Sequence, residues 1–176
     1  SDPVLEALHD IPDKFAPPAP VVAARPTGLS GLLQPEITAG WVSVTELADR
    51  AIVRIRGDTL FQSGSASINP EYIPRLARVA EALNSTRGTI LVTGHTDNRR
   101  VFSARFPSNW DLSAARATTV VRFLESAGIP PDRMLASGRG EYSPVASNDD
   151  AEGRKKNRRI EITLVDKSLA QELQAR

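Results

Sequence analysis

Along Arg159-Ile160-Glu161-Ile162-Thr163-Leu164-Val165 apolar and polar residues alternate, which puts Ile160, Ile162 and Leu164 on one face of a strand. Similar short apolar runs predict strands at Trp41-Val42-Ser43-Val44, Ala51 to Arg56, Thr89 to Thr93 and Arg133 to Ser137. The pair Gly57-Asp58 ends the second of these as a turn. Helical spacing takes over twice. Asn69-Pro70-Glu71 opens a helix whose stripe is Ile73, Leu76, Ala80 and Leu83, with Pro74 pushing the true start a few residues later. A longer helix runs from about Ser108 to Ala127, opened by Ser108 with Asp111 three residues on and stopped by Gly128 and Pro130-Pro131. A short amphipathic helix from Lys167 closes the chain. The order β, β, α, β, α, β, β, α predicts an α+β fold, a mixed sheet with helices packed on it.

The first 30 residues have another character. Asp2 to Leu8 suits a short helix with Asp2 as N-cap and Pro3 at its first position. Five of the 13 prolines then fall between positions 12 and 26, a pattern that favours an extended, semi-rigid spacer. Docking of this segment along the domain, through Phe15, Val21 and Val22, is the alternative. The chain therefore divides into an extension or tether (1–30), an entry helix and strand (31–50), the main folded domain (51–166) and a C-terminal helix or tail (167–176).

Composition removes several functions. With 176 residues, 40% hydrophobic and 24% charged, the chain has the make-up of one soluble globular domain. A net charge of +1 argues against a dedicated nucleic-acid binder. Absent cysteine excludes disulfides, thiolate catalysis and cysteine-bound zinc, and His9 and His95 lie too far apart in sequence to suggest a metal centre. No apolar run reaches the roughly 18–20 residues of a membrane helix. A chain beginning at Ser1 reads as a trimmed piece of something longer.

Two places carry candidate chemistry. Gly94-His95-Thr96-Asp97-Asn98 follows a strand directly, where open α/β sheets place ligands; a turn bonded locally by Asp97 or Asn98 is the plain alternative. In the Ser108 helix, Leu112, Ala115, Thr119, Val120 and Phe123 form the apolar stripe, and Arg116 falls inside it. An arginine there must snorkel or meet an anion. If Asp97 and Arg116 face one cleft they suit a zwitterionic ligand, carboxylate to ammonium and guanidinium to carboxylate. A cleft-facing guanidinium would be hydrated, so Arg116→Ala would cost little stability. The two pairing with each other is the competing possibility. Arg154-Lys155-Lys156-Asn157-Arg158-Arg159 holds five basic residues, but Asp149, Asp150, Glu152 and Glu161 flank it, so it reads as a balanced turn and strand entry. No nucleophile elbow, phosphate-binding loop or H-E-x-x-H motif is present, and Asn84-Ser85-Thr86 is a common chance match to a glycosylation acceptor.

Thr93-Gly94-His95-Thr96-Asp97, Leu112-Ser113-Ala114-Ala115-Arg116-Ala117, Gly138-Arg139-Gly140-Glu141 with Pro144, then Asn148, Gly153-Arg154 and Asn157-Arg158-Arg159-Ile160-Glu161-Ile162 together resemble the OmpA-like C-terminal domain from about Ala51 to Val165. The resemblance implies a βαβαββ fold that binds peptidoglycan non-covalently, with no catalysis, metal or cofactor. It implies that diaminopimelate of the stem peptide is held by Asp97 and Arg116, with Thr96, Asn98, Leu112, Ser113, Asn157 and Arg158 completing the site. Phe106-Pro107-Ser108-Asn109-Trp110-Asp111 lengthens the loop before the helix, and Arg99-Arg100-Val101 stands where outer-membrane members carry a glycine. Ser1 to Val4, Glu36 to Val44 and Gly57 to Ala66 look like the periplasmic extension of type VI secretion TssL proteins (DotU/IcmH-type). That similarity implies a periplasmic domain of a bacterial inner-membrane protein, anchored upstream, with peptidoglycan and other secretion-complex proteins as partners. A flagellar stator (MotB-like) anchor, or a fold kept only for protein–protein interaction, are the alternatives.

Overall fold

The strand Arg159–Val165 organises the molecule because its neighbours on both sides run against it. In the computed structural model, which describes residues 28–165, the five strands are β1 (Val42–Glu46), β2 (Arg50–Arg56), β3 (Thr89–His95), β4 (Met134–Gly138) and β5 (Arg159–Val165). They lie in the order β1-β2-β5-β3-β4, antiparallel except for the parallel pair β3–β4. The register sets Ile55 beside Ile160, Val53 beside Ile162, and Ile162 beside Val92, so one face is continuously apolar. Every residue of that row is essentially fully buried. At about 1.5–3 kcal/mol per aliphatic side chain, this face is the main source of stability.

Helices cover that face. α1 (Leu29–Leu32) and α2 (Gln34–Thr38) precede β1, α3 (Gly57–Leu60) follows β2, and α4 (Ile73–Asn84) follows a short 3-10 turn at Pro70–Tyr72. α5 (Asn109–Ser126) connects β3 to β4, and α6 (Ala151–Asn157) leads into β5. Read from β2, the strands and the two long helices follow β, α, β, α, β, β, the expected α+β architecture.

Some local expectations are corrected. Gly57-Asp58 starts the helical turn α3 instead of an isolated turn. Pro74 does not delay α4, because it occupies the first turn, where a missing N–H is harmless. Ile73 is exposed, and Val79 and Ala82 join Leu76, Ala80 and Leu83 in the buried face. On α5 the buried face is Leu112, Ser113, Arg116, Ala117, Val120 and Leu124, with Phe123 half-buried against the core and Ala115 and Thr119 only partly covered at its edge. Residues 151–157 form a helix rather than a turn, capped by Asp150, whose Oδ1 accepts from the Gly153 amide at 2.6 Å. Leu29, assigned to the extension, is fully buried, so the folded region reaches back before residue 31. The expected Asp2–Leu8 helix, the proline-rich spacer and the helix from Lys167 lie outside the described residues.

Two glycines bring α5 onto the sheet. Gly94 and Gly138 are register partners on β3 and β4, and a Cβ on either would overlap the Ser113–Ala114 backbone of α5. Larger residues would hold the helix off. The approach delivers the first turns of α5, and Arg116 with them, to the C-terminal ends of the parallel strands.

Candidate functional site at the strand ends

Past β3 the chain is held by its neighbour across the parallel pair: the Thr96 amide donates to the Gly140 carbonyl at 2.9 Å. Thr96 is buried, and its hydroxyl donates to the carbonyl of Asp97 at 2.8 Å. Asp97 is itself only 6% exposed. Its Oδ1 accepts from the Arg99 amide at 3.0 Å, the local turn bond open to an aspartate here. Its Oδ2 accepts from Nη1 of Arg158. The expected partner, Arg116, does not bond to it.

Arg158 ties Asp97 to a third element. Its Nε and Nη2 donate to the two oxygens of Asp58 at 2.8 and 2.9 Å, a two-pronged grip on the carboxylate of α3. Hydrogen bonds to Asp58 first, then to Asp97, hold its charge well above the ordinary arginine range despite partial burial. No motif marked Asp58 as a partner of Arg158, because 100 residues separate them. The Gly57-Asp58 pair was the one available signal. There the Gly57 amide donates to the Arg158 carbonyl at 2.8 Å, and a Cβ at Gly57 would press on that same carbonyl.

Arg116 is neither hydrated nor paired with Asp97, which corrects both expectations for it. Only 6% exposed, it donates from Nε to the Ser65 carbonyl at 2.8 Å and from Nη2 to the Gln62 carbonyl at 3.2 Å. The guanidinium lies 4.9 Å from the centroid of the Phe61 ring. Burial lowers its pKa to about 10, with Asp58 opposing, Arg158 adding to the fall and Asp97 opposing. It remains a cation at neutral pH, and its Nη1 makes no hydrogen bond within the described residues. Asp58, Asp97, Arg116 and Arg158 thus form a cluster of two carboxylates and two guanidiniums with no net charge.

The other sequence-derived site residues divide into rim and frame. Asn98 is exposed beside Asp97. Leu112 is buried on α5. Ser113 is fully buried; its hydroxyl donates to the Trp110 carbonyl and accepts from the Gly140 amide at 3.0 Å, locking α5 to the β4 end. Asn157 is also fully buried and spends its whole amide inside the chain. Its Oδ1 accepts from the amides of Val145 and Ala146 at 2.8 and 3.0 Å. Its Nδ2 donates to the Ala146 carbonyl and to Asn148 Oδ1, both at 2.9 Å. Asn157 therefore positions the segment carrying Arg158 and has no atom left for a ligand. Sequence inspection missed Asn109, whose Nδ2 donates to the carbonyls of Asp97 and Arg99 at 3.4 and 3.0 Å and pins the start of α5 to the Asp97 loop.

Close by, His95 sits on the polar face of the sheet with neither ring nitrogen hydrogen-bonded, Nε2 lying 3.8 Å from Glu161 Oε2. Burial first, then the Arg159 charge, lowers its pKa to about 4. Burial alone would raise the Glu161 pKa, but hydrogen bonds and charge from Arg159, with help from Arg54, bring it below its ordinary value. A histidine so placed is neutral near pH 7 and has no nucleophile within bonding reach. Among the described residues no three metal-ligating side chains come together.

A mixed sheet carrying its charged cluster where β3 and α5 meet defines a class, and the sequence pattern of the OmpA family matches residues 60–158. The chain belongs to the OmpA family. Among solved structures it is similar to the cell wall anchor of the type VI secretion system (T6SS) from Pseudomonas aeruginosa. That likeness has 45% identity and a TM-score of 0.78, covering 81% of this chain and 100% of that one. A MotB-like protein from Desulfovibrio vulgaris is similar at 28% identity and a TM-score of 0.74, over 79% of this chain and 90% of the other. Motility protein B of Bacillus subtilis is 38% identical over 123 residues, 68% of this chain and 47% of that protein. The chain spans about half the length of the motility proteins it matches.

Proposed function

We propose that this domain binds peptidoglycan non-covalently through the diaminopimelate of the stem peptide, and so fixes a type VI secretion membrane complex to the cell wall. The observation that carries the reading is the neutral quartet at the strand ends. A diaminopimelate terminus brings one ammonium and one carboxylate, so docking leaves the cluster neutral. Asp97 receives the ammonium. Arg158, keeping Asp58, turns its Nη1 to the ligand carboxylate, and the unused Nη1 of Arg116 meets the same group. Asn98 lines the rim, Thr96 shapes the turn, and Leu112, Ser113 and Asn157 hold the frame.

The secretion-system assignment is supported by 45% identity to the T6SS cell wall anchor across the whole of that structure. On this reading the domain lies in the periplasm, carried by an inner-membrane protein whose anchor is outside these residues; among the described residues no helix is long and apolar enough to cross a membrane. A stator-type anchor is the second reading, favoured by the 38% identity to Motility protein B. The test is sedimentation with purified sacculi. The domain should co-sediment and release no soluble muropeptides, and Asp97→Ala should remain in the supernatant. A domain that stays soluble with intact sacculi would leave only an interaction module. Residues preceding Ser1 separate the two anchors: a helical cytoplasmic domain before a membrane span favours the secretion complex.

A further inference from the structure

We infer that the aromatic step beside this cluster is a glycan subsite, a platform for an N-acetylhexosamine ring of a β-1,4-linked chain. Trp110, on the first turn of α5, stacks on Tyr142 with ring centroids 4.9 Å apart and planes 22° from parallel, yet the two side chains are 50% and 61% exposed. Phe102 nearby is 89% exposed. These rings border an open cavity of about 430 Å³ whose lining also includes Val101, Asn109 and Glu141. Three large rings left in water around one cavity are an unusual surface for a folded domain.

The chemistry of the lining selects a sugar. A β-linked hexopyranose presents a face of axial C–H bonds, which packs on a flat ring as an apolar group would. Its hydroxyls point outward, within reach of an acceptor such as Glu141. Asn109 supplies an independent sign of a ligand. It is buried, both Nδ2 hydrogen bonds go to carbonyls, and Oδ1 has no donor. Buried acceptors are nearly always satisfied, and an acetamido N–H entering beside Asn109 supplies the missing donor while its methyl meets Val101. The platform is continuous with the charged cluster. Asn109 donates to the Asp97 carbonyl, and Gly140, packed beneath Trp110 and Tyr142, accepts from Thr96. This rests on the peptidoglycan reading above, in which stem peptide and sugar are joined and must lie side by side.

Calorimetric or NMR titration with two separate probes tests it: peptide-free chitotetraose and a diaminopimelate-bearing tripeptide. Wild type should bind chitotetraose weakly, and Trp110→Ala and Tyr142→Ala should each weaken it by roughly five- to tenfold while tripeptide affinity stays unchanged. Trp110→Phe, which keeps a flat ring, should retain most of the affinity. Trp110→Leu, which keeps apolar bulk alone, should behave like Trp110→Ala. No chitotetraose binding by wild type overturns the inference, as does Trp110→Leu binding like wild type, which would mark a general apolar contact for a protein partner. Chitotetraose binding without tripeptide binding supports the subsite and sinks the diaminopimelate reading, so the two claims fail separately.

Discussion

Two arginines meet at the strand ends, and they are held in opposite ways. Arg116 comes from the middle of a long helix and is buried, with its hydrogen bonds given to the backbone carbonyls of Gln62 and Ser65 and its face to Phe61. Arg158 comes from the junction of α6 and β5, keeps about a quarter of its side chain in water, and bonds only to the carboxylates of Asp58 and Asp97. Carbonyls fixed in a folded loop cannot exchange their donor without unfolding that loop. Carboxylates can trade one cation for another. Arg116 is therefore a structural cation with its Nη1 to spare, and in the proposed binding mode Arg158 is the exchangeable cover on Asp97.

The largest effect expected on this contrast comes from removing what steadies Arg158. Asn157→Ala empties a fully buried position and leaves two amides and a carbonyl without partners, and should cost about 3–4 kcal/mol in denaturant unfolding. Arg116→Ala follows at about 2–3 kcal/mol, because two carbonyls lose charged donors and Phe61 loses its partner. Arg116→Lys should recover only part of that, since an ammonium cannot span both carbonyls. If Arg116→Ala proves no less stable than wild type, the buried setting is wrong and the hydrated, cleft-facing arginine expected from sequence returns.

Acid gives a signed effect of comparable size. His95 has a folded pKa of about 4 against an ordinary 6.5, so between those values the unfolded chain binds more protons. Stability is then complete above about pH 6.5 and falls as pH drops toward 4, by about 3 kcal/mol. Glu161, whose folded pKa is also lowered, loses its contribution in the same direction but only at lower pH. His95→Gln should flatten the upper part of the profile, and unfolding midpoints measured from pH 7 to 4 would show it.

The smallest change in stability should accompany Arg158→Ala. Its grip on Asp58 is screened by water, and removing the partly exposed arginine opens the buried Asp97 carboxylate to solvent, so the loss should stay within about 1 kcal/mol. Affinity for diaminopimelate peptides should nevertheless fall about tenfold, since the ligand carboxylate loses its main grip. A pair of variants then reads the contrast both ways, one arginine costing mainly stability and the other mainly binding.

How far sequence reaches into this site depends on what each residue's neighbours are. β5 was legible to the residue, because alternation reports burial on one face. Arg116 inside an apolar stripe was legible as an anomaly, since periodicity places a side chain on a face. Its partners were not, because Gln62 and Ser65 act through backbone carbonyls, which every residue carries alike. Asp58 was hidden for a related reason: a carboxylate on a short helical turn has no periodic signature, and its partner lies 100 positions away. The charged stretch before β5 concealed α6, whose seven residues are mostly charged or small and present no apolar stripe to mark a helix. Asn157 lay within the resemblance as a binding residue, yet an asparagine that braces a loop and one that contacts a ligand look the same in sequence.

Titration of a diaminopimelate-bearing tripeptide into wild type, Asp97→Asn and Arg116→Lys, with melting curves on the same samples, tests the central claim most directly. Asp97→Asn keeps the shape and removes the charge proposed to meet the ammonium, so binding should weaken at least tenfold while melting stays near wild type. Wild-type affinity retained in folded Asp97→Asn would contradict the claim that this quartet is the wall-binding site.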